Sequence, residues 1–181
     1  EMCIRDRRQA VELLRMCLDA GYDRAQTLTA VNGMMLLAGQ GERFTTVDLF
    51  LLDLWTGKAS LDKLGAAGSY LMQSEGLSLL GGDALPLGIL ENVESGEKLM
   101  QLHQGDTLIL LSDGVEDAYE NRQSMEETIR DALTLETAQD AANAILTGAP
   151  SGDSAPADDQ TVLVLRLIRA RADAKIEEMY Q

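Results

Sequence analysis

Histidine, cysteine and basic charge are all scarce in this sequence, and each scarcity removes a class of function. The 181 residues hold two cysteines, Cys3 and Cys17, and one histidine, His103. Two thiols this close together make neither a disulfide framework nor a zinc cluster. That usage suits a reducing cytosol, so the expected location is cytoplasmic, with a membrane tether upstream left open. A single histidine gives no convincing Ser/His/Asp arrangement, and neither thiol sits in a nucleophile motif. His103 falls at a strand end, where a structural role outweighs that of a general acid. Basic residues number 15 against 30 acidic ones, a formal net charge of -15. Nucleic-acid phosphates and anionic lipid would repel such a chain, so neither nucleic acid nor membrane is an expected contact of this segment. Long apolar runs are missing too. None approaches the roughly 20 residues that span a bilayer, and no signal peptide is expected. Internal repeats and long low-complexity tracts are likewise absent.

What is present points elsewhere. A hydrophobic content of 45% is enough to bury one sizeable core in one domain. Two acidic stretches each abut an apolar run. Leu111-Ser112-Asp113-Gly114 follows Thr107-Leu108-Ile109-Leu110-Leu111, and Ala157-Asp158-Asp159-Gln160-Thr161 precedes Val162-Leu163-Val164-Leu165. Aliphatic and β-branched runs bounded by Gly and Asp read as buried strands, so both acidic stretches sit at strand ends. Converging carboxylates repel unless a cation lies between them, and oxygen ligands suit Mg²⁺ or Mn²⁺. Metal-assisted hydrolysis of a phosphate ester is the natural chemistry of such a pair. Asp-Gly after a strand is also an ordinary turn signal, and an Asp pair can be a solvated loop.

Residues 1–7 look foreign to the rest. Met2-Cys3-Ile4-Arg5-Asp6-Arg7 resembles a translated sequencing adapter, and on that reading the segment stands outside fold reasoning. Cys17 is then the only native thiol, a small apolar helix residue. Helical periodicity runs from Arg8 to Ala20 and from about Asp23 or Arg24 to Ala38, an αα-hairpin across 8–39. Its second helix offers Ala25, Leu28, Val31, Met34, Met35 and Leu37 for burial; the Met-rich face reads as core before partner surface. Residues 44–168 are then expected to form sheet and helices. Phe44 to Trp55 and Lys58 to Gly65 make a hairpin about Thr56-Gly57, with a further strand from Ser69 to Ser74 and another apolar stretch after Glu75-Gly76. Glu97 to Leu102 and Thr107 to Leu111 are expected to pair across Gln104-Gly105-Asp106. Helices follow over Ser124 to Leu133 and Glu136 to Leu146, then a flexible loop over 148–156. A last strand, Thr161 to Leu167, and a charged tail at 169–181 close the chain. This order describes an α+β layered domain.

Five segments in order resemble the metal-dependent protein serine/threonine phosphatases (the PPM class), most of all the catalytic domain of stage II sporulation protein E. They are Thr46-Val47-Asp48-Leu49 with Asp53-Leu54-Trp55-Thr56-Gly57, Lys63-Leu64-Gly65-Ala66-Ala67, Leu85-Pro86-Leu87-Gly88-Ile89, Leu111-Ser112-Asp113-Gly114-Val115 and Asp158-Asp159-Gln160-Thr161-Val162. The match runs from about residue 8 to residue 168. It implies an αββα sandwich with two Mg²⁺ or Mn²⁺ ions at one end of the paired sheets. It further implies that Asp113 and Asp158 are metal ligands, with Gly114 permitting a tight turn beside the first. Asp159 is either a further ligand or a partner of the loop backbone. Beyond the ligands no catalytic side chain is implied, because a metal-activated water attacks the phosphoserine or phosphothreonine.

The family also carries an Asp-Gly-Met-Gly-type segment just before its first helix. Here that place holds residues 1–7, where Asp6 lacks the following Gly. The resemblance therefore predicts an N-terminally truncated sandwich and an incomplete metal site. This chain alone is expected to be inactive, with an exposed sheet edge, and its parent protein active. The implied substrate is a phosphorylated anti-anti-sigma-type regulator in partner-switching or sporulation signalling, and the first two helices could couple a homodimer to the site. The alternative is a phosphatase-like binding or dimerisation module without catalysis.

Overall fold

The computed structural model describes residues 4–39, 44–82, 84–93, 96–148 and 158–168. Its elements in chain order are α1 (Ile4–Asp19), α2 (Arg24–Gly39), β1 (Val47–Leu52), β2 (Lys58–Leu64), β3 (Ser69–Gln73), β4 (Gly76–Leu80) and β5 (Lys98–Gln101). There follow β6 (Thr107–Leu111), α3 (Asp113–Glu116), α4 (Arg122–Ala132), α5 (Ala138–Gly148) and β7 (Val162–Arg166). The expected helical hairpin is present, with α1 starting at Ile4 instead of Arg8. Residues 4–7, read as foreign in sequence, thus continue that helix; 1–3 lie outside the described residues, as do 149–157 and the tail 169–181.

Local chemistry sets the hairpin. Gly21 adopts a φ of 85°, and the Gly21 and Tyr22 amides donate to the Leu18 and Cys17 carbonyls at 3.0 Å each. A left-handed glycine closing a helix in this way satisfies its last carbonyls. α2 then opens on a reciprocal cap: the Gln26 amide donates to Asp23 Oδ1 at 2.8 Å, and the Asp23 amide to Gln26 Oε1 at 3.1 Å. That is a capping box with Asp and Gln in its two places.

The strands form two antiparallel sheets, β1-β2-β5 and β4-β3-β6-β7. The hairpin about Thr56-Gly57 forms as expected, and a second joins β3 to β4. One expected pairing does not form. β5 pairs with β2 in the first sheet, while β6 lies between β3 and β7 in the second. The Gln104-Gly105-Asp106 turn therefore crosses from sheet to sheet. Burial explains the separation: β6 is closed on both faces, whereas β5 alternates half-buried and exposed residues, the pattern of an edge strand.

Three apolar clusters define four layers. Ala10, Leu28, Val31 and Met35 of the helical hairpin pack on Leu64, Val47 and Leu49 of the first sheet. Ala59, Phe50 and Leu52 meet Leu71, Leu108 and Leu165 between the sheets. Tyr70, Ile109 and Leu111 bury the far face of the second sheet against Met125 and Ile129 of α4 and Ile145 of α5. Alternate residues of β6 thus serve two different cores, which is why its sequence is apolar throughout. The result is the αββα sandwich. On α2, Leu28, Val31 and Met35 are buried, but Met34 is 43% and Leu37 86% exposed, so only part of the apolar face expected to be core is core.

The Leu85-Pro86-Leu87-Gly88-Ile89 segment is scaffold. Leu87 and Thr45 exchange backbone hydrogen bonds of 2.9 Å beside β1. The Gly88 amide donates to Oδ1 of the buried Asn32 on α2 at 2.8 Å, and Asn32 Nδ2 donates to the Leu90 carbonyl, also at 2.8 Å. This stitches the helical hairpin to the first sheet.

Candidate metal centre

The end of the sandwich that matters is set by register. β6 and β7 run antiparallel with Leu111 opposite Val162, so the residues just after β6 and just before β7 must face each other. The Ser112 amide donates to the Thr161 carbonyl at 3.0 Å. The Thr161 amide donates to Ser112 Oγ at 2.9 Å, and that hydroxyl donates to the Asp159 carbonyl at 3.2 Å. Gln160 Nε2 donates to the Gly114 carbonyl at 3.2 Å. Asp113 and Asp158, far apart in sequence, are thereby held on two loops locked together.

Gly114 matters for a different reason than the one expected. It does not adopt a left-handed φ, and Asp113 opens the short helix α3 where a simple turn was expected. A Cβ on Gly114 would stand 2.5 Å from the Asp159 carbonyl oxygen and 3.2 Å from that of Asp158. Only a glycine allows this approach. Each carboxylate also braces its own loop: Asp113 Oδ1 accepts from the Gly114 amide at 3.0 Å and Asp158 Oδ1 from the Asp159 amide at 2.7 Å. One oxygen of each is so occupied, leaving the other acceptor sites for a ligand.

Asp113, Asp158 and Asp159 line one cleft of about 390 Å³, together with Thr46, Gly65 and Ala66 and with Arg7, Ala10 and Leu14 of α1. The structure adds a carboxylate to which the sequence reading gave no role. Asp48, at the start of β1, lines the same cleft. Lys63, directly opposite it on β2, donates to both its oxygens at 2.7 and 2.9 Å. His103 is remote. It belongs to the turn before β6, at the other end of that strand from Asp113, where its exposed ring lies 3.7 Å from Asp106.

The donors present are carboxylate and carbonyl oxygens, a set that suits a hard divalent cation. Among the described residues, no three histidine, cysteine, aspartate or glutamate side chains converge closely enough to hold a metal. Two carboxylates with water completing the shell is the manner in which Mg²⁺ is ordinarily bound, so the residues fit such an ion. Among the described residues no helix is long and apolar enough to cross a membrane.

Comparison with known proteins bears on the family and the fold. The family model for stage II sporulation protein E matches residues 8–168. The stage II sporulation protein E of Priestia megaterium is 28% identical over 107 residues, which cover 59% of this chain and 18% of that protein. The chain thus matches less than a fifth of that relative's length. The solved PP2C phosphatase domain, with a fragment of the regulatory domain, of the cell fate determinant SpoIIE from Bacillus subtilis superposes with a TM-score of 0.74 at 24% identity. It covers 90% of this chain and 49% of that one. The catalytic domain of the serine/threonine protein phosphatase PstP, solved with two manganese ions, superposes with a TM-score of 0.66 at 20% identity, over 88% of this chain and 81% of that one. At these identities the superpositions establish the fold.

Proposed function

Because the chain belongs to the stage II sporulation protein E family, we propose that its cleft is the metal-binding end of a serine/threonine protein phosphatase. The observation that carries this reading is the locking of the loops after β6 and before β7, which places Asp113 and Asp158 in one cleft. Those two residues would hold Mn²⁺ or Mg²⁺, with Asp159 as a further ligand or a brace for the loop. The ions, two in the complete site, would supply Lewis acidity and an activated water for attack on a phosphoserine or phosphothreonine. The chain's own residues do the positioning. Gly114 lets the two loops touch, and Ser112 and Gln160 fix their separation.

The substrate we assign is a phosphorylated anti-anti-sigma-type regulator, in the cytoplasm. Exposed Met16, Met34 and Leu37 on α1 and α2 suit a homodimer through the N-terminal helices. A second reading, a phosphatase-like binding module, is favoured by one observation: among the described residues no three histidine, cysteine, aspartate or glutamate side chains come together as a metal site would need. The discriminating experiment is Mn²⁺-dependent release of phosphate from a phosphoserine protein by the intact protein carrying this chain, beside its Asp113→Asn form. Turnover that needs Mn²⁺ and vanishes in the variant is the expected result. Folded protein that turns over nothing but still captures the phosphoprotein would replace the enzyme with the binding module.

A further inference from the structure

A buried lysine stands where the two sheets meet at the cleft. Lys63 is 1% exposed, and all three protons of its ammonium are engaged. Two go to Asp48 Oδ1 and Oδ2, and the third to Ser69 Oγ at 2.8 Å. Ser69 opens β3 of the second sheet and itself donates to Asp48 Oδ2 at 3.3 Å. Lys63 therefore cannot contact a substrate, and for stability alone an apolar pair of similar size would serve as well. Its effect is on Asp48. A carboxylate has about four acceptor sites, and these three contacts leave it one to spare. The Asp48 side chain is 12% exposed, and the cleft it lines is the one that Asp113 and Asp158 share.

We propose that Asp48, fixed by Lys63 and Ser69, is a positioning residue of this cleft that accepts hydrogen bonds from the hydration shell of a divalent cation held by Asp113 and Asp158. The inference rests on the metal-site reading above and deepens it. Lys63 makes the arrangement workable, because its positive charge offsets that of Asp48. The cleft gains an acceptor without further repulsion among its carboxylates. Partners one shell out from a metal characteristically set affinity by about 10- to 100-fold.

The test is Mn²⁺ binding by calorimetry together with thermal melting, on the intact protein carrying this chain and three variants of it. In Asp48→Leu with Lys63→Met both charges go together, so the fold and the melting temperature should be kept, while the Mn²⁺ dissociation constant rises at least about tenfold. Asp48→Asn keeps shape and one acceptor and should weaken binding in the same direction; it decides the matter if the double variant fails to fold. Asp113→Asn should abolish binding. Parental affinity in a folded double variant, or in Asp48→Asn, with binding lost in Asp113→Asn, would leave the metal site standing and overturn the role of Asp48. No Mn²⁺ binding by the parent, or unchanged binding in Asp113→Asn, would remove the metal site itself and this proposal with it.

Discussion

Replacing Gly114 with alanine tests the claim that the two acidic loops must touch. The added Cβ would sit 2.5 Å from the Asp159 carbonyl oxygen, where ordinary contact begins at 3.4 Å, so the 158–159 loop must retreat by about 0.9 Å. Its anchors resist: Ser112 Oγ donates to that same carbonyl, and Gln160 Nε2 reaches back to Gly114. Overpacking of this kind costs about 1–3 kcal/mol. Against it stands the higher helix propensity of alanine, at most about 1 kcal/mol in a helix as short as α3. The net loss should be about 1–2 kcal/mol, a fall of roughly 2–8 °C in melting temperature for a chain of this size. The larger effect falls on function, since Asp158 moves with its loop relative to Asp113. Mn²⁺ affinity should drop by about 10- to 100-fold, well beyond what the stability loss alone would produce in a folded protein. Calorimetric Mn²⁺ titration and a thermal melt on the same preparation separate the two. A variant that melts with the parent and binds Mn²⁺ equally well would refute the reasoning from close approach.

Other positions give independent checks. Tyr70 is fully buried, and its hydroxyl has no hydrogen-bond partner among the described residues; burial raises its pKa above the ordinary tyrosine value. Tyr70→Phe should therefore melt at the parental temperature or higher, whereas Tyr119→Phe, which deprives the Ile145 carbonyl of a 2.6 Å bond, should cost about 1 kcal/mol by urea unfolding. Arg24 on α2 pairs with the fully buried Asp62 of β2 and, at 2.9 Å, with Glu97. Arg24→Met leaves a buried carboxylate uncompensated and should destabilise by about 3–5 kcal/mol; a loss under 1 kcal/mol would mean that Asp62 is solvated in practice. Asp53 has its pKa lowered, first by the Thr56 hydroxyl and then by the Trp55 amide. A depressed carboxylate contributes stability that is complete above the ordinary value of about 3.9 and lost as pH falls through the folded value. Asp53→Asn should flatten the acid limb of a stability–pH curve measured down to pH 2, and an unchanged limb would count against this turn.

How far the site was legible depends on which interactions are local. Asp113 and Asp158 could be placed at one end of the sheet because each flanks an apolar run, and such runs end where a sheet ends. The β1–β2 hairpin was readable from Thr56-Gly57, and counting back from that turn pairs Asp48 with Lys63. A lysine next to the end of β2, opposite an aspartate in a fixed register, was the available signal for the buried cluster. The sequence reading passed over it as part of a motif. The pairing of β5 was not readable in the same way. Its turn resembles that of any hairpin, and what sends the strand to the other sheet is a choice between edge and centre made by the whole core. The sequence likewise offered Met34 and Leu37 as core, because α2 is apolar on most of its circumference and periodicity cannot then say which face meets the sheet. The capping box at Asp23 and the scaffold contacts of Asn32 fix that face. Buried Leu28, Val31 and Met35 follow from that orientation. The same rotation leaves Met34 and Leu37 outward, where a second surface can reach them.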